Sequence, residues 1–265
     1  MRRWSGVVAV PVAMACLLAT ACGGGASATI AEPEPPVGKP VLPDLMPKPQ
    51  LNVQMQRAKG RWNMRFSTFI VNVGRGDFVL RATRLPGGTW SSEQDVQYST
   101  SGAKRVAIDA PLAWGGDGHD HWHIVRVASL WLVPLDASGR PTSESRELID
   151  TKIGFCFYDH THELARGPDE AVYSHKSCGH STDDIVVGMG LSPGWNDTYR
   201  ASLPGQSIDV TDLPDGKYRL WTEVDERDWF RETTRANNRT WVDLDLRTTP
   251  DGRVAAVIGT GPTPS

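Results

Sequence analysis

The chain has 265 residues and a formal net charge of −3, from 28 Lys and Arg against 31 Asp and Glu. That balance, without any dense Lys/Arg run, argues against a nucleic-acid or other polyanionic partner. The 26 Gly and 19 Pro punctuate the chain too often for a helical protein, and the length suits one large or two small domains.

Residues 1–22 read as a targeting segment. Arg2 and Arg3 form a positive start, residues 7–21 are mostly apolar but short for a membrane span, and Leu18-Ala19-Thr20-Ala21 leads into Cys22. Small residues before a cysteine, with Gly23-Gly24-Gly25 behind it, resemble a bacterial lipobox in which Cys22 carries the lipid. Ala19 stands where Leu is usual, so a plain cleaved signal peptide is the other reading. Both imply export, either to the cell envelope with a lipid anchor at the outer face of the cytoplasmic membrane, or by secretion. Residues 23–41, rich in Gly, Ala, Ser and Pro, read as a tether, residues 42–248 as the folded domain, and residues 249–265 as a loose tail.

Within the domain, Trp62, Met64, Phe66, Thr68 and Ile70 alternate with Asn63, Arg65, Ser67 and Phe69, the period of a half-buried strand. Gly74-Arg75-Gly76 and then Phe78-Val79-Leu80 predict a hairpin, followed by a loop over 86–93. From His119 a long alternation runs to Val133. It is apolar on both sides past Ile124, which predicts a central strand broken once. A short strand over 153–158 and an irregular stretch over 159–190 follow. Pro214-Asp215-Gly216 marks a turn before the alternating Tyr218, Leu220, Thr222 and Val224, and residues 241–246 form a last strand. Helical periodicity is scarce. The predicted fold is all-β, a Greek-key-type β-sandwich with long irregular loops and little helix.

Outside the targeting segment two cysteines remain, Cys156 and Cys178. In an exported chain they read as one disulfide; two metal thiolates or one free catalytic cysteine are the alternatives. All seven histidines lie between His119 and His180, and His119-Asp120-His121-Trp122-His123 places three at alternate positions. On a strand such residues face one way at about 6.5–7 Å spacing, and their imidazoles can converge on one Cu, Zn, Fe or Ni ion while leaving a coordination position open. A solvent-exposed histidine loop after Gly115-Gly116-Asp117-Gly118 is the competing reading, and the motif does not choose copper over zinc. His160, His162, His175 and His180 receive no role.

These residues, in order, resemble the lysyl oxidase family. His119-Asp120-His121-Trp122-His123 is similar to its copper-binding HxHxH stretch, and Lys152-Ile153-Gly154-Phe155-Cys156 to its Lys-x-x-Phe-Cys element. Gly190-Leu191-Ser192-Pro193-Gly194 with Asp197-Thr198-Tyr199 is similar to a third element. Leu42-Pro43-Asp44-Leu45, Ile208-Asp209-Val210-Thr211-Asp212 and Asn237-Asn238 extend the likeness over 42–246. The resemblance implies Cu2+ held by His119, His121 and His123, and a lysine tyrosylquinone cofactor formed from Lys152 and Tyr199. It implies oxidation of primary amines, small or peptidyl, by O2 to aldehydes, with H2O2 and ammonia released. No standard side chain is a good two-electron acceptor for that step, so a cofactor must carry it. Asp197, two residues from Tyr199, is the candidate base, its other reading being half of a turn-forming Asn-Asp pair. Cys156 and Cys178 stand where one of the family's disulfides lies. Its other disulfides are missing and the strand after His123 diverges from animal sequences, which leaves the amine open. Two further readings keep the histidine site: a non-catalytic copper- or zinc-binding envelope lipoprotein, and a zinc hydrolase, which lacks a glutamate base beside the histidines.

Overall fold

Alternating burial along short strands builds this protein. A computed structural model describes residues 35–115, 120–143 and 154–265. In chain order the strands are β1 (Pro40–Val41), β2 (Leu45–Pro47), β3 (Leu51–Ala58), β4 (Arg61–Asn72), β5 (Phe78–Arg84), β6 (Trp90–Tyr98), β7 (Ala103–Ile108), β8 (Leu112–Trp114) and β9 (Trp122–Val125). Then come β10 (Ala128–Pro134), β11 (Gly154–Phe155), β12 (Thr161–His162), a 3-10 turn (His175–Cys178), β13 (Val186–Leu191), β14 (Trp195–Tyr199), β15 (Ser207–Asp209), β16 (Gly216–Val224), β17 (Arg239–Thr249) and β18 (Gly252–Thr260). All pair antiparallel, in four sheets: β1-β6-β5-β13 with β7 on β6; β12-β14-β4-β15 with β2 and β3 also on β4; β11-β9-β8; and β10-β16-β17-β18. The all-β expectation with little helix holds. Among the described residues no helix is long and apolar enough to cross a membrane.

The core draws on all four sheets. Met64, Phe66 and Ile70 of β4, Leu80 of β5, Ile124 of β9 and Leu220, Val242 and Leu244 of β16 and β17 are buried together. Each comes from an alternate position, so the opposite face of the same strand carries polar or half-exposed groups. On the outer face of the last sheet Trp131, Trp221 and Trp241 stand in register across three strands. Arginines intercalate between them: the Arg219 guanidinium lies 3.8 Å from the Trp241 ring and 5.4 Å from that of Trp221, and bonds Asp243 in a fork at 2.7 and 2.9 Å. Such a stack buries long side-chain stems and binds a charge without removing its partner.

Four expectations need correction. The stretch over 159–190 is not wholly irregular: it carries β12, the 3-10 turn and most of β13, whose ladder partners on β14 and β5 no local repeat reveals. β4 and β5 do not form a hairpin; they belong to different sheets, and the 73–77 connection crosses between them. The reason is Asn72, fully buried at the end of β4. Its Oδ1 accepts from the amides of Asp44 (3.1 Å) and Gly74 (3.0 Å), and its Nδ2 donates to the carbonyls of Gly76 and Leu191, both at 2.9 Å. The chain bends around that amide, so close beneath residues 41–44 that a Cβ on Gly76 would lie 2.1 Å from the Val41 carbonyl oxygen. The predicted 86–93 loop is shorter, because β6 begins at Trp90 and pairs with β5 from Arg84 onward. The tail is not loose: β18 pairs with β17 from Val242–Thr260 to Thr249–Gly252. It is an edge strand whose apolar residues are mostly exposed, so it carries no amphipathic signal. The long alternation from His119 breaks once as expected, between β9 and β10, where Arg126 adopts φ +62°.

Replacing Asn72 with Ala strands four buried backbone groups and is expected to cost on the order of 3 kcal/mol, read as a lowered urea midpoint at unchanged slope.

Candidate metal and tyrosine site

β9 lies between β8 and β11, with Ala113 opposite His123 on one side and Phe155 opposite Ile124 on the other. The period-two pleat sends Trp122 and Ile124 one way and the histidines the other. Trp122 packs edge-on against Trp90 (4.8 Å between centroids) and Trp114 (5.5 Å). On the opposite face the rings of His121 and His123 lie 4.4 Å apart, with His123 buried. β11 crosses close over His123: a Cβ on Gly154 would sit 2.7 Å from the His123 Cβ, so glycine is required there.

Tyr199 comes to the same place from a different sheet. β14 pairs with β4, setting Asp197 opposite Ile70 and Tyr199 opposite Thr68. The buried Tyr199 hydroxyl accepts the Cys156 backbone N–H at 2.7 Å, and its ring lies 4.7 Å from Phe155 and 6.2 Å from His123. Asp197 shares its face of β14, one pleat away. It is 0% exposed, and among the described residues neither carboxylate oxygen has a hydrogen-bond partner. Burial, only partly opposed by the adjacent Thr198 amide and joined by the charge of Asp159, holds the Asp197 carboxyl well above the usual carboxylate range. Burial, joined by the charge of Asp197, pushes the Tyr199 phenol well up. A buried carboxylate without a partner is costly, and such groups cluster at functional sites.

The Cys156–Cys178 disulfide is present, with Cα atoms 5.8 Å apart. It joins the segment that holds Tyr199 to the 3-10 turn, and Gly179, at φ +72°, then leads to His180. Here the structure adds what the sequence left without a role. His180 lies 6.0 Å from His121 and His175 lies 5.9 Å from His180, centroid to centroid. The confinement of all seven histidines to 119–180, with His175 and His180 flanking Cys178, was the available signal. His160 and His162 lie apart: His160 neighbours Tyr158 and Arg200, and His162 stacks on Trp195 at 5.0 Å.

An imidazole nitrogen about 2 Å from an ion puts its ring centroid about 3 Å away, so two ligating rings lie from about 4.5 Å apart at right angles to about 6 Å when opposed. His121 and His123, with centroids 4.4 Å apart, lie at the lower limit of that span. Among the described residues no three His, Cys, Asp or Glu side chains are placed to hold an ion together. Three predicted residues, His119, Lys152 and Cys22, lie outside the described residues. A groove of about 780 Å³, lined by Met55, Arg65, Phe69, Thr198 and Arg200, occupies the other face of β14, away from Asp197 and Tyr199.

The lysyl oxidase family model matches residues 112–254, more than half of the chain. The chain is 30% identical over 120 residues to Lysyl oxidase homolog 1 of Homo sapiens, covering 45% of this chain and 18% of that protein. It is 32% identical over 127 residues to Protein-lysine 6-oxidase of Gallus gallus, covering 48% and 26%, and 31% identical over 120 residues to that of Sus scrofa, covering 45% and 41%. The matches thus span less than half the length of these curated relatives.

The raised Asp197 carboxyl has a consequence for stability. Its folded proton affinity exceeds its unfolded one, so its contribution is favourable below about pH 4 and is lost as pH rises. In chain prepared without copper, Asp197→Asn is expected to be more stable than wild type at pH 7. That advantage should vanish near pH 3.5, as read from denaturant midpoints at the two pH values.

Proposed function

The chain belongs to the lysyl oxidase family, and from that premise we propose that it is a copper-dependent amine oxidase acting on primary amines, small or peptidyl. The net reaction is R-CH2-NH3+ + O2 + H2O giving R-CHO + NH4+ + H2O2. The observation that carries this reading is the meeting of Tyr199 with the histidine strand. Its hydroxyl is pinned by Cys156 N–H, its ring lies 6.2 Å from that of His123, and a fully buried carboxylate stands one pleat away.

In this reading His119, His121 and His123 hold the ion, and Lys152 and Tyr199 fuse into lysine tyrosylquinone. When bound, copper and that quinone supply the two-electron oxidation that no standard side chain performs. The chain's own residues do the rest. The Cys156 amide fixes the Tyr199 oxygen, and Phe155 covers the ring and keeps water off it. Asp197 takes the α-proton of the bound amine; a carboxylate raised by burial is a stronger base than an exposed one. The disulfide holds Cys156 in place while the amine comes and goes. Gly154, at the start of β11, brings the strand that follows Lys152 against His123. Export through residues 1–22, with lipid on Cys22 at the outer face of the cytoplasmic membrane, completes the proposal and suits a chain with a disulfide.

Peptide mapping of the aerated, copper-loaded chain is expected to yield one crosslinked pair containing residues 152 and 199, absent from Lys152→Ala, from Tyr199→Phe and from protein loaded with zinc. Asp197→Asn is expected to keep the crosslink and lose about 10²–10⁴-fold in kcat for peroxide release from a primary amine. Two unmodified peptides after full copper loading in oxygen would sink the oxidase reading and leave a metal-binding envelope protein.

A further inference from the structure

Four imidazoles form a line from solvent to the interior. His175 and His180 are exposed, His121 is half-buried and His123 is buried. Successive ring centroids are 5.9, 6.0 and 4.4 Å apart. The two outer steps fall within the span of about 4.5–6 Å over which two imidazoles can share one ion, and the innermost lies just at its lower edge.

The outer pair is held in place by contacts to the histidine strand itself. His180 Nδ1 lies 3.1 Å from the Asp120 carbonyl oxygen. A carbonyl only accepts, so Nδ1 carries the hydrogen and Nε2 of the neutral ring keeps the lone pair that binds metal. A ring N–H given to a backbone carbonyl is the usual arrangement of a metal-ligating histidine. The same loop is anchored a second time, by the Trp122 indole N–H to the Ser181 carbonyl at 2.9 Å, and a third time by the disulfide at Cys178. His175 is braced by the edge of Tyr158, with ring centroids 5.7 Å apart.

We propose that His175 and His180 are a loading relay, handing copper ions from solvent to His121 and on to the inner histidine site. The inference rests on the copper reading of that site. Among the described residues no three donors are grouped to hold an ion, so each outer stop would offer two imidazoles at most. Two-imidazole stops bind Cu2+ selectively over other divalent ions but release it readily. In the proposed inner site His119 would add a third imidazole, and the larger donor set would draw the ion inward. A buried ion site needs a path of access, and these side chains supply one that holds the ion at every step.

The test follows Cu2+ uptake by the copper-free full chain, read by stopped-flow quenching of tryptophan fluorescence. The end state is characterised by electron paramagnetic resonance and by chelator competition. The double variant His175→Ala/His180→Ala is expected to load several-fold more slowly, with the wild-type final spectrum and affinity. His180→Gln, whose amide N–H still reaches Asp120, should load as slowly as His180→Ala, and His160→Ala, off the line, should load at the wild-type rate. Wild-type loading by the double variant overturns the relay. So does a changed final spectrum or affinity, which would make His180 a permanent ligand. A wild-type chain that takes up no copper overturns the copper reading beneath it as well.

Discussion

The hydrogen bond from the Cys156 amide to the Tyr199 hydroxyl, 2.7 Å long and closed to solvent at both ends, joins two sheets that share no strand. On one side is β11, paired with the histidine-bearing β9; on the other is β14, paired with β4. Buried hydrogen bonds of this kind are costly to break, because each partner would be left without a substitute. Everything at the site follows from that junction. The tyrosine ring reaches His123, Asp197 is carried to the same face, and the disulfide at Cys156 brings the loop of His175 and His180 over His121.

The junction is destabilising as well as cohesive. Asp197 is buried with no hydrogen-bond partner for its carboxylate oxygens among the described residues, a penalty of order a few kcal/mol at neutral pH. Two other buried polar side chains nearby, by contrast, are richly bonded. Asn72 engages four backbone groups, and Asp159 accepts from Ser192 N–H and Oγ–H and from the amides of Val172 and Tyr173. Other buried polar atoms without a partner among the described residues, on Gln50, Thr222 and Asn238, lie away from the site, so Asp197 is set apart by its charge and not by being the only such group.

The family match begins at β8 and ends in β18, and so leaves out β1 to β7. The matched part does not complete its own sheet. β14 has the two-residue β12 on one side but finds its long ladder on β4, where Thr68 faces Tyr199, and the indole of Trp122 rests on Trp90 of β6. The earlier strands therefore act as the support on which the tyrosine is held at fixed depth, even though they contribute none of the candidate histidines.

Local pattern alone determined the all-β class, the alternation of Tyr218, Leu220, Thr222 and Val224, a single break in the long alternation after His119, the shared face of His121 and His123 and the pairing of Cys156 with Cys178. Each is a consequence of the two-residue repeat of a strand or of a small number of combinations, which neighbours along the chain specify. Motif order singled out Tyr199 and Asp197, whereas their depth depends on β4, more than 100 positions earlier. The pairing of strands was decided only by the tertiary structure. β4 turns away from β5 because one buried amide binds both chain directions, and β18 is an edge strand whose exposed valines give no period. The approach of His180 to His121 and the isolation of the Asp197 carboxylate were decided there too. Desolvation and convergence are properties of groups remote in sequence, and no local repeat encodes them.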